Sequence, residues 1–447
     1  MTKAGHISLL IVAVALAACG GSPTTASTIP PSTTTTTTVP APAYVPPECV
    51  DTTATIEGTT TSTSVAPPTL LIQQQQEVVD AIDTVVRDHY LYPDFNGTDW
   101  EGAVARLTAD VTAGLDTVPF YERIVGLITS LGDEHSHVET PAEVLAAEAQ
   151  LAASNDFVGI GGLLLPVESE GLITLLAVFP GSAADHAGLA VHDSILAADN
   201  VPLLDAEAYR ALRGPECSLV VMTVRTPGGE PRTISAIRYR VTGGIPITSS
   251  LVPDPEGRSI GYVFIPTLGD GSADDQTRSA LEGFGPLDGL IIDLRGNGGG
   301  SSSVLEPLLA LFTSGTVGEY RSGDGARLLD ISADEVHNSQ TVPLVVLIDE
   351  DTVSYAEVLA GTLAATGRAT LIGETTKGNV ETLRGYDLPD GSKLWLAAER
   401  FYPLADPDVD WERDGIIPDI EVVSEWEDFT FETDPALAPA LAALASN

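Results

Sequence analysis

Apolar residues recur at helical spacing between Leu70 and Leu151, which predicts three helices. One runs through Val78, Ile82, Val85 and Val86, a second through Trp100, Val104, Leu107, Val111 and Leu115, and a third through Phe120, Ile124, Leu127 and Leu131, stopping at Gly132. From Gly243 short apolar runs alternate with amphipathic segments: strands over 260–265, 289–294 and 344–348, helices over 275–284 and 304–312, and later apolar runs over 393–401 and 414–420. That alternation predicts an α/β core. The run Leu344–Ile348 suits a strand buried on both faces. A short acidic turn follows it, and Ser354 opens a segment with Val358, Leu359, Leu363 and Ala364 at helical spacing. Ser354 reads equally as a helix cap, with Glu357 completing a capping box, or as a nucleophile at a helix N-terminus, where free N–H groups favour an oxyanion. In the tail, 426–447, Pro435 and Pro439 punctuate an Ala/Leu-rich stretch of no evident chemistry.

The first residues change the picture from a globular chain to an exported one. Lys3 precedes an apolar run from Ile7 to Ala18, too short to span a bilayer, so 1–18 reads as a signal peptide. Leu16-Ala17-Ala18-Cys19 resembles the bacterial lipobox and implies a diacylglycerol on Cys19; ordinary cleavage after Ala17 is the alternative. Residues 19–69 are rich in Ser, Thr and Pro, and over about 50 residues such a tether spans roughly 40 Å. The expected location is a bacterial cell envelope, lipid-anchored at the outer face of the cytoplasmic membrane, with no other membrane contact.

Charge narrows the partners. The 447 residues carry 63 acidic against 21 basic side chains, a formal charge of −42, which argues against nucleic acid. With Cys19 lipidated, Cys49 and Cys217 are the cysteines left to pair in an oxidising compartment, and two cysteines without companion histidines predict no metal site. No cofactor is expected.

Residues 156–242 resemble a PDZ domain. Val158-Gly159-Ile160-Gly161-Gly162-Leu163 is similar to its carboxylate-binding loop, and Val178-Phe179-Pro180-Gly181-Ser182-Ala183-Ala184 with Ala187-Gly188-Leu189 to the helix and turn of bacterial PDZ modules. The resemblance implies that Gly161, Gly162 and Leu163 hold the C-terminus of a peptide that adds as a strand. Where those modules have Gly-Asp, this chain has His192-Asp193.

Four motifs then stand in one order: Asp293-Leu294-Arg295-Gly296-Asn297-Gly298-Gly299-Gly300; Ser354 with Glu357; Gly367-Arg368-Ala369 with Gly373-Glu374-Thr375-Thr376; and Gly415-Ile416-Ile417-Pro418-Asp419. Over about 70–425 the set resembles the C-terminal processing (tail-specific) serine proteases, including their tricorn core branch. The likeness implies an α/β multidomain chain: a helical N-terminal cap over 70–152, a PDZ domain, and a protease core over 243–425 with a mixed sheet. It places the nucleophile on Ser354. The lysine of the processing branch falls on Asn379, with Lys377 two residues away. The tricorn-like branch takes its base from a Leu-x-Asp-x-His-Ser/Thr loop, here Leu131 to Ser136 with His135, and a glutamate three residues before the Gly-x-x-Pro-Asp motif, here Glu412. The resemblance therefore implies a Ser354–His135–Glu412 serine endopeptidase with an oxyanion hole from the amides of Tyr355 and Gly299, acting on proteins with exposed C-termini. A Ser354/Lys377 dyad and a catalytically inactive peptide-binding scaffold are the alternatives.

Overall fold

The structure, a computed structural model, describes residues 40–50 and 70–446 apart from 134, 146–155, 168, 204–211 and 324. The expected signal peptide, the lipidated Cys19 and most of the tether lie outside the described residues.

Helices α1 (Ile72–His89), α2 (Trp100–Ala113) and α3 (Thr117–Thr129) pack their apolar stripes together, with Val78, Ile82, Trp100, Val111, Phe120 and Ile124 among the buried residues. Past α3 the chain turns at Gly132 and enters a short strand, β1 (His137–Glu139).

The next unit is built of strands β2 (Asp156–Gly159), β3 (Gly162–Val167), β4 (Leu172–Val178), β5 (Ser194–Ala198), β6 (Val201–Pro202), β7 (Leu219–Arg225), β8 (Arg232–Ile237) and β9 (Tyr239–Thr242), with helix α4 (Ala183–His186). Its main sheet runs β3-β4-β5-β7-β8, β6 pairs with β5, and β2 pairs with β9. Residues 40–50 lie against this unit. Cys49 is joined to Cys217 by a disulfide with a Cα separation of 5.1 Å, the Ser235 hydroxyl donates to the Pro40 carbonyl, and Tyr44 stacks on His186.

The third unit centres on strands β10 (Thr248–Val252), β11 (Ile260–Phe264) and β12 (Gly289–Asp293), with helices α5 (Ala273–Phe284) and α6 (Ser302–Phe312). A hairpin, β13 (Gly315–Ser322) and β14 (Gly325–Ile331), precedes β15 (Leu344–Ile348), helix α7 (Tyr355–Ala365) and β16 (Thr370–Gly373). Then follow β17 (Glu381–Asp387), β18 (Lys393–Pro403), helix α8 (Trp411–Asp414), β19 (Ile420–Glu421) and helix α9 (Leu437–Ser446). The central sheet is mixed, in the order β10-β11-β12-β15-β16-β19, with β10 antiparallel and the remaining pairs parallel.

Both faces of this sheet are covered, which is why its strands are apolar at every position. Val263, Ile292 and Val346 face the apolar residues of α6 and α7. Tyr262, Ile291 and Val345 face Trp426, Phe429, Ala440 and Leu444 of the C-terminal segment. The tail without evident chemistry is thus a structural lid on the second face. Leu176 of β4 reaches the same face, so the 156–242 unit packs directly on the core. His192 sits in that seam with φ +74°; its ring lies 4.1 Å from that of Trp426 and its Nδ1–H donates to the Trp426 carbonyl at 2.8 Å. Those contacts hold a left-handed residue where glycine would be the easier choice.

A second sheet, β1-β18-β13-β14 with β17 on the other edge of β18, ties the helical unit to the core. The long strand β18 pairs Trp395 with His137 at one end and Phe401 with Tyr320 at the other. Leu394 and Leu396 are buried among the N-terminal helices, and Phe401 in the core.

Candidate active site

Ser354 stands between β15 and α7 with φ +61° and ψ −128°, a conformation that costs an L-residue of order 1–3 kcal/mol. The surroundings hold it there. Its amide donates to Glu357 Oε2 at 2.9 Å, its carbonyl accepts from Val358, and the preceding Val353 amide donates to the Asn297 carbonyl. Glu357 is fully buried; burial raises its pKa, opposed by bonds from the Thr376 hydroxyl at 2.5 Å and the Gly378 amide at 2.9 Å. Glu357 therefore ties the serine turn to the 376–378 segment.

The glycine loop lies directly against the serine. A Cβ on Gly299 would fall 2.7 Å from Ser354 Cβ and 2.8 Å from the Val353 carbonyl oxygen, so no other residue fits. This contact also corrects one expectation. The Gly299 amide already donates to Asn297 Oδ1 at 2.9 Å, and its carbonyl accepts from Leu268 and Thr267, so Gly299 supplies the close approach and not the oxyanion donor. Gly298 and Gly300 line the cleft on either side of it, and their amides carry no hydrogen bond among the described residues. The Tyr355 amide, first in its helix, is an orphan donor beside Ser354.

His135 reaches the same cleft, of about 740 Å³, from the loop after α3. Asp133 shapes that loop by accepting from the amides of His135 at 3.0 Å and Ser136 at 2.8 Å, and the Ser136 hydroxyl receives the Ala397 amide of β18. The His135 Nε2–H donates to Glu412 Oε1 at 2.6 Å. The other Glu412 oxygen accepts from the amides of Val380 at 2.7 Å and Glu381 at 3.1 Å, fixing the carboxylate at the start of β17. With Nε2 carrying the proton, Nδ1 is the nitrogen left as a base. The two side chains are only 12% and 15% exposed. Burial pulls the imidazole pKa down, but the hydrogen bond and charge of Glu412 outweigh it, and the net shift is upward from 6.5. Ser354 and His135 line one cleft with no direct hydrogen bond between them, as is common in an uncomplexed site.

Lys377 does not join this cleft. It is exposed and lies near Asp351, while Asn379 lines the cavity. Gly161, Gly162 and neighbouring Leu164 line a separate small pocket with Phe157 and Arg213, and Leu163 packs toward the core sheet. Cys19 lies outside the described residues.

A family model described as peptidase family S41 matches residues 259–422, a segment that holds the glycine loop, Ser354 and Glu412. A carboxyl-terminal-processing protease of Synechocystis sp. is 28% identical over 334 residues, 72% of this chain and 76% of that protein. Carboxyl-terminal-processing peptidase 3, chloroplastic, of Arabidopsis thaliana is 24% identical over 352 residues, 75% of this chain and 67% of that one. A solved structure, the photosystem II D1 C-terminal processing protease, superposes with a TM-score of 0.54 at 25% identity, covering 78% of this chain and 93% of that one. The chain carries a peptidase family S41 segment over residues 259–422. It is a serine peptidase of the carboxyl-terminal processing group, acting on protein substrates.

Two carboxyl groups of this S41 peptidase went unread in the sequence. Asp349 accepts the Gly296 amide with both oxygens, at 2.9 and 3.0 Å, and the Thr352 hydroxyl at 2.9 Å, clamping the glycine loop to the serine turn; burial pushes its carboxyl up to about 7. Glu381 lines the cleft beside His135, and burial followed by the nearby Glu412 charge pushes it, too, up to about 7. Nothing in an acidic run such as Asp349-Glu350-Asp351 marks which member turns inward.

Proposed function

We propose that this S41 peptidase is an exported endopeptidase whose Ser354 attacks the substrate carbonyl while His135 Nδ1 takes the hydroxyl proton and returns it to the leaving amine. Glu412 fixes the Nε2–H tautomer and stabilises the imidazolium. The oxyanion is held by the Tyr355 amide with Gly298 or Gly300 opposite. The single observation that carries the reading is the bond of 2.6 Å between His135 Nε2 and Glu412 Oε1, made by residues 277 positions apart and placed on the cleft that Ser354 lines. The Ser354/Lys377 dyad has no comparable support, since Lys377 is exposed and is not among the residues that line the cleft.

The 156–242 unit acts as a PDZ domain in this reading, taking a substrate C-terminus at Gly161, Gly162 and Leu163. Three features support it: the sheet order of the unit, the φ of +83° at Gly161, and the small pocket between Gly161 and Arg213. In the same reading the enzyme is held on the outer face of a bacterial cytoplasmic membrane by a lipid on Cys19, a reading supported by the apolar leader and the Leu16-Ala17-Ala18-Cys19 motif. No helix among the described residues is long and apolar enough to cross a bilayer.

The test pairs peptides identical but for a free C-terminal carboxylate or an amide. The carboxylate should be cleaved with a KM at least about tenfold lower, a gap of about 1.4 kcal/mol. Equal KM values reject the capture role while leaving the catalytic one standing.

A further inference from the structure

The proton relay does not account for Glu381. The residue is 5% exposed, at the edge of the cleft. One oxygen, Oε1, accepts from the Tyr92 hydroxyl, and the other, Oε2, is buried with no hydrogen-bond partner. An oxygen so placed loses its hydration and gains nothing in return. The ligand atoms of Glu381, His135 and Glu412 all lie within 4.8 Å of one another.

We propose that His135, Glu381 and Glu412 form a Zn²⁺ site that switches the peptidase off. One imidazole and two carboxylates make a zinc-type donor set, and four-coordinate zinc would keep its last position for water at the open cleft. Each carboxylate is anchored through one oxygen and offers the other: Glu412 is held by the Val380 and Glu381 amides, and Glu381 by Tyr92. Such outer contacts orient metal ligands. The adjustment needed is small: ligand atoms around zinc stand roughly 3–3.5 Å apart given bonds of about 2.0–2.2 Å, so His135 Nε2 and Glu412 Oε1 open from 2.6 Å while the wider pairs, all within 4.8 Å, close. Two carboxylates balance the ion's double charge, and any proton on them leaves to solvent.

The inhibition follows from the imidazole, and it alone rests on the relay proposed above. Zinc takes the Nε2 lone pair, so the ring proton now on Nε2 moves to Nδ1, and Nδ1 can no longer accept the Ser354 proton. Occupancy and catalysis are mutually exclusive.

The experiment is calorimetric titration of Zn²⁺ into the full chain carrying Ser354→Ala, with Glu381→Gln and Tyr92→Phe added separately and Mg²⁺ as the control ion. The inference predicts one saturable zinc site per chain that excess Mg²⁺ leaves unaffected. Zinc affinity should fall more than about tenfold in Glu381→Gln and about tenfold in Tyr92→Phe, whose loss removes only an outer contact. Absence of a saturable site, or unchanged affinity in a folded Glu381→Gln or Tyr92→Phe protein, overturns it. Because the readout is binding to a protein without its nucleophile, failure of the relay would leave this result intact. With active protein, Zn²⁺ should inhibit reversibly, and zinc that binds without inhibiting would overturn the switching role together with the relay it rests on, leaving only the binding site.

Discussion

At the scale of single residues, the account turns on which nitrogen of His135 carries a proton. The upward shift of its pKa means that the base form is lost as pH falls through a value above 6.5, so kcat/KM should show an acid limb there. Glu412→Gln removes the Glu412 charge and weakens its hydrogen bond, the two largest influences that raise that pKa, and leaves the smaller ones from the Glu381 and Asp133 charges. The limb should move to lower pH, and kcat should fall by up to about 10⁴-fold, as when the acid of a Ser-His-Asp triad is replaced by its amide. A pH–rate profile of the two proteins checks both; an unmoved limb would mean that Glu412 does not touch the titrating base. Ser354, His135 and Glu412 could all be named from the sequence because each sits in a short motif whose order is informative. Gly299 shows where that legibility ends. Its place in the glycine run is evident, but the fate of its amide is decided by the Asn297 side chain two residues away.

At the scale of elements, the serine turn and the glycine loop form one object. Asp349 closes β15 and grips the Gly296 amide, Thr352 donates to both Asp349 and the Leu294 carbonyl, and Val353 bonds back to Asn297. Asp349→Ala leaves the Gly296 amide without its acceptor in a buried place, at a cost of about 1–3 kcal/mol in stability. It should also lower kcat more than it raises KM, because the loop presents donors to the oxyanion and not to the ground state. Denaturant midpoints and steady-state kinetics measure the two effects, and an unchanged kcat would detach the loop from catalysis. Folding raises the Asp349 carboxyl from 3.8 to about 7, so its proton favours the folded state fully below pH 3.8, and that contribution is lost as pH rises to about 7. Asp349→Asn, which cannot titrate, should flatten the stability slope across that window. The apolar strands of the central sheet were readable because both faces are buried. The β13–β14 hairpin and β17 were not, since their exposed and intermediate positions leave no continuous run.

At the scale of the whole molecule, three covers meet on one sheet: α6 and α7 on the first face, the 426–446 segment and β4 on the second. Leu176 of β4 also touches the glycine loop, since a Cβ on Gly296 would come 2.9 Å from its Cδ2. The role of the tail could not be read from its Ala/Leu composition, because what it covers is assembled from strands more than fifty residues upstream. Reaching across the chain in the other direction, the disulfide joins residues 168 positions apart and pins the tether at Cys49 to the 156–242 unit. Cys49→Ser should lower stability by about 2–4 kcal/mol by freeing the unfolded chain. Comparison of thermal midpoints with and without reductant tests this, since only the unmutated protein should respond to reduction.

The relay across 277 residues is the central claim, and mass-spectrometric mapping of a fluorophosphonate adduct tests it most directly, in the unmutated protein, in His135→Ala and in Lys377→Ala. The account predicts phosphonylated Ser354 in the unmutated and Lys377→Ala proteins and none in His135→Ala. Labelling that survives in His135→Ala and disappears in Lys377→Ala would contradict it.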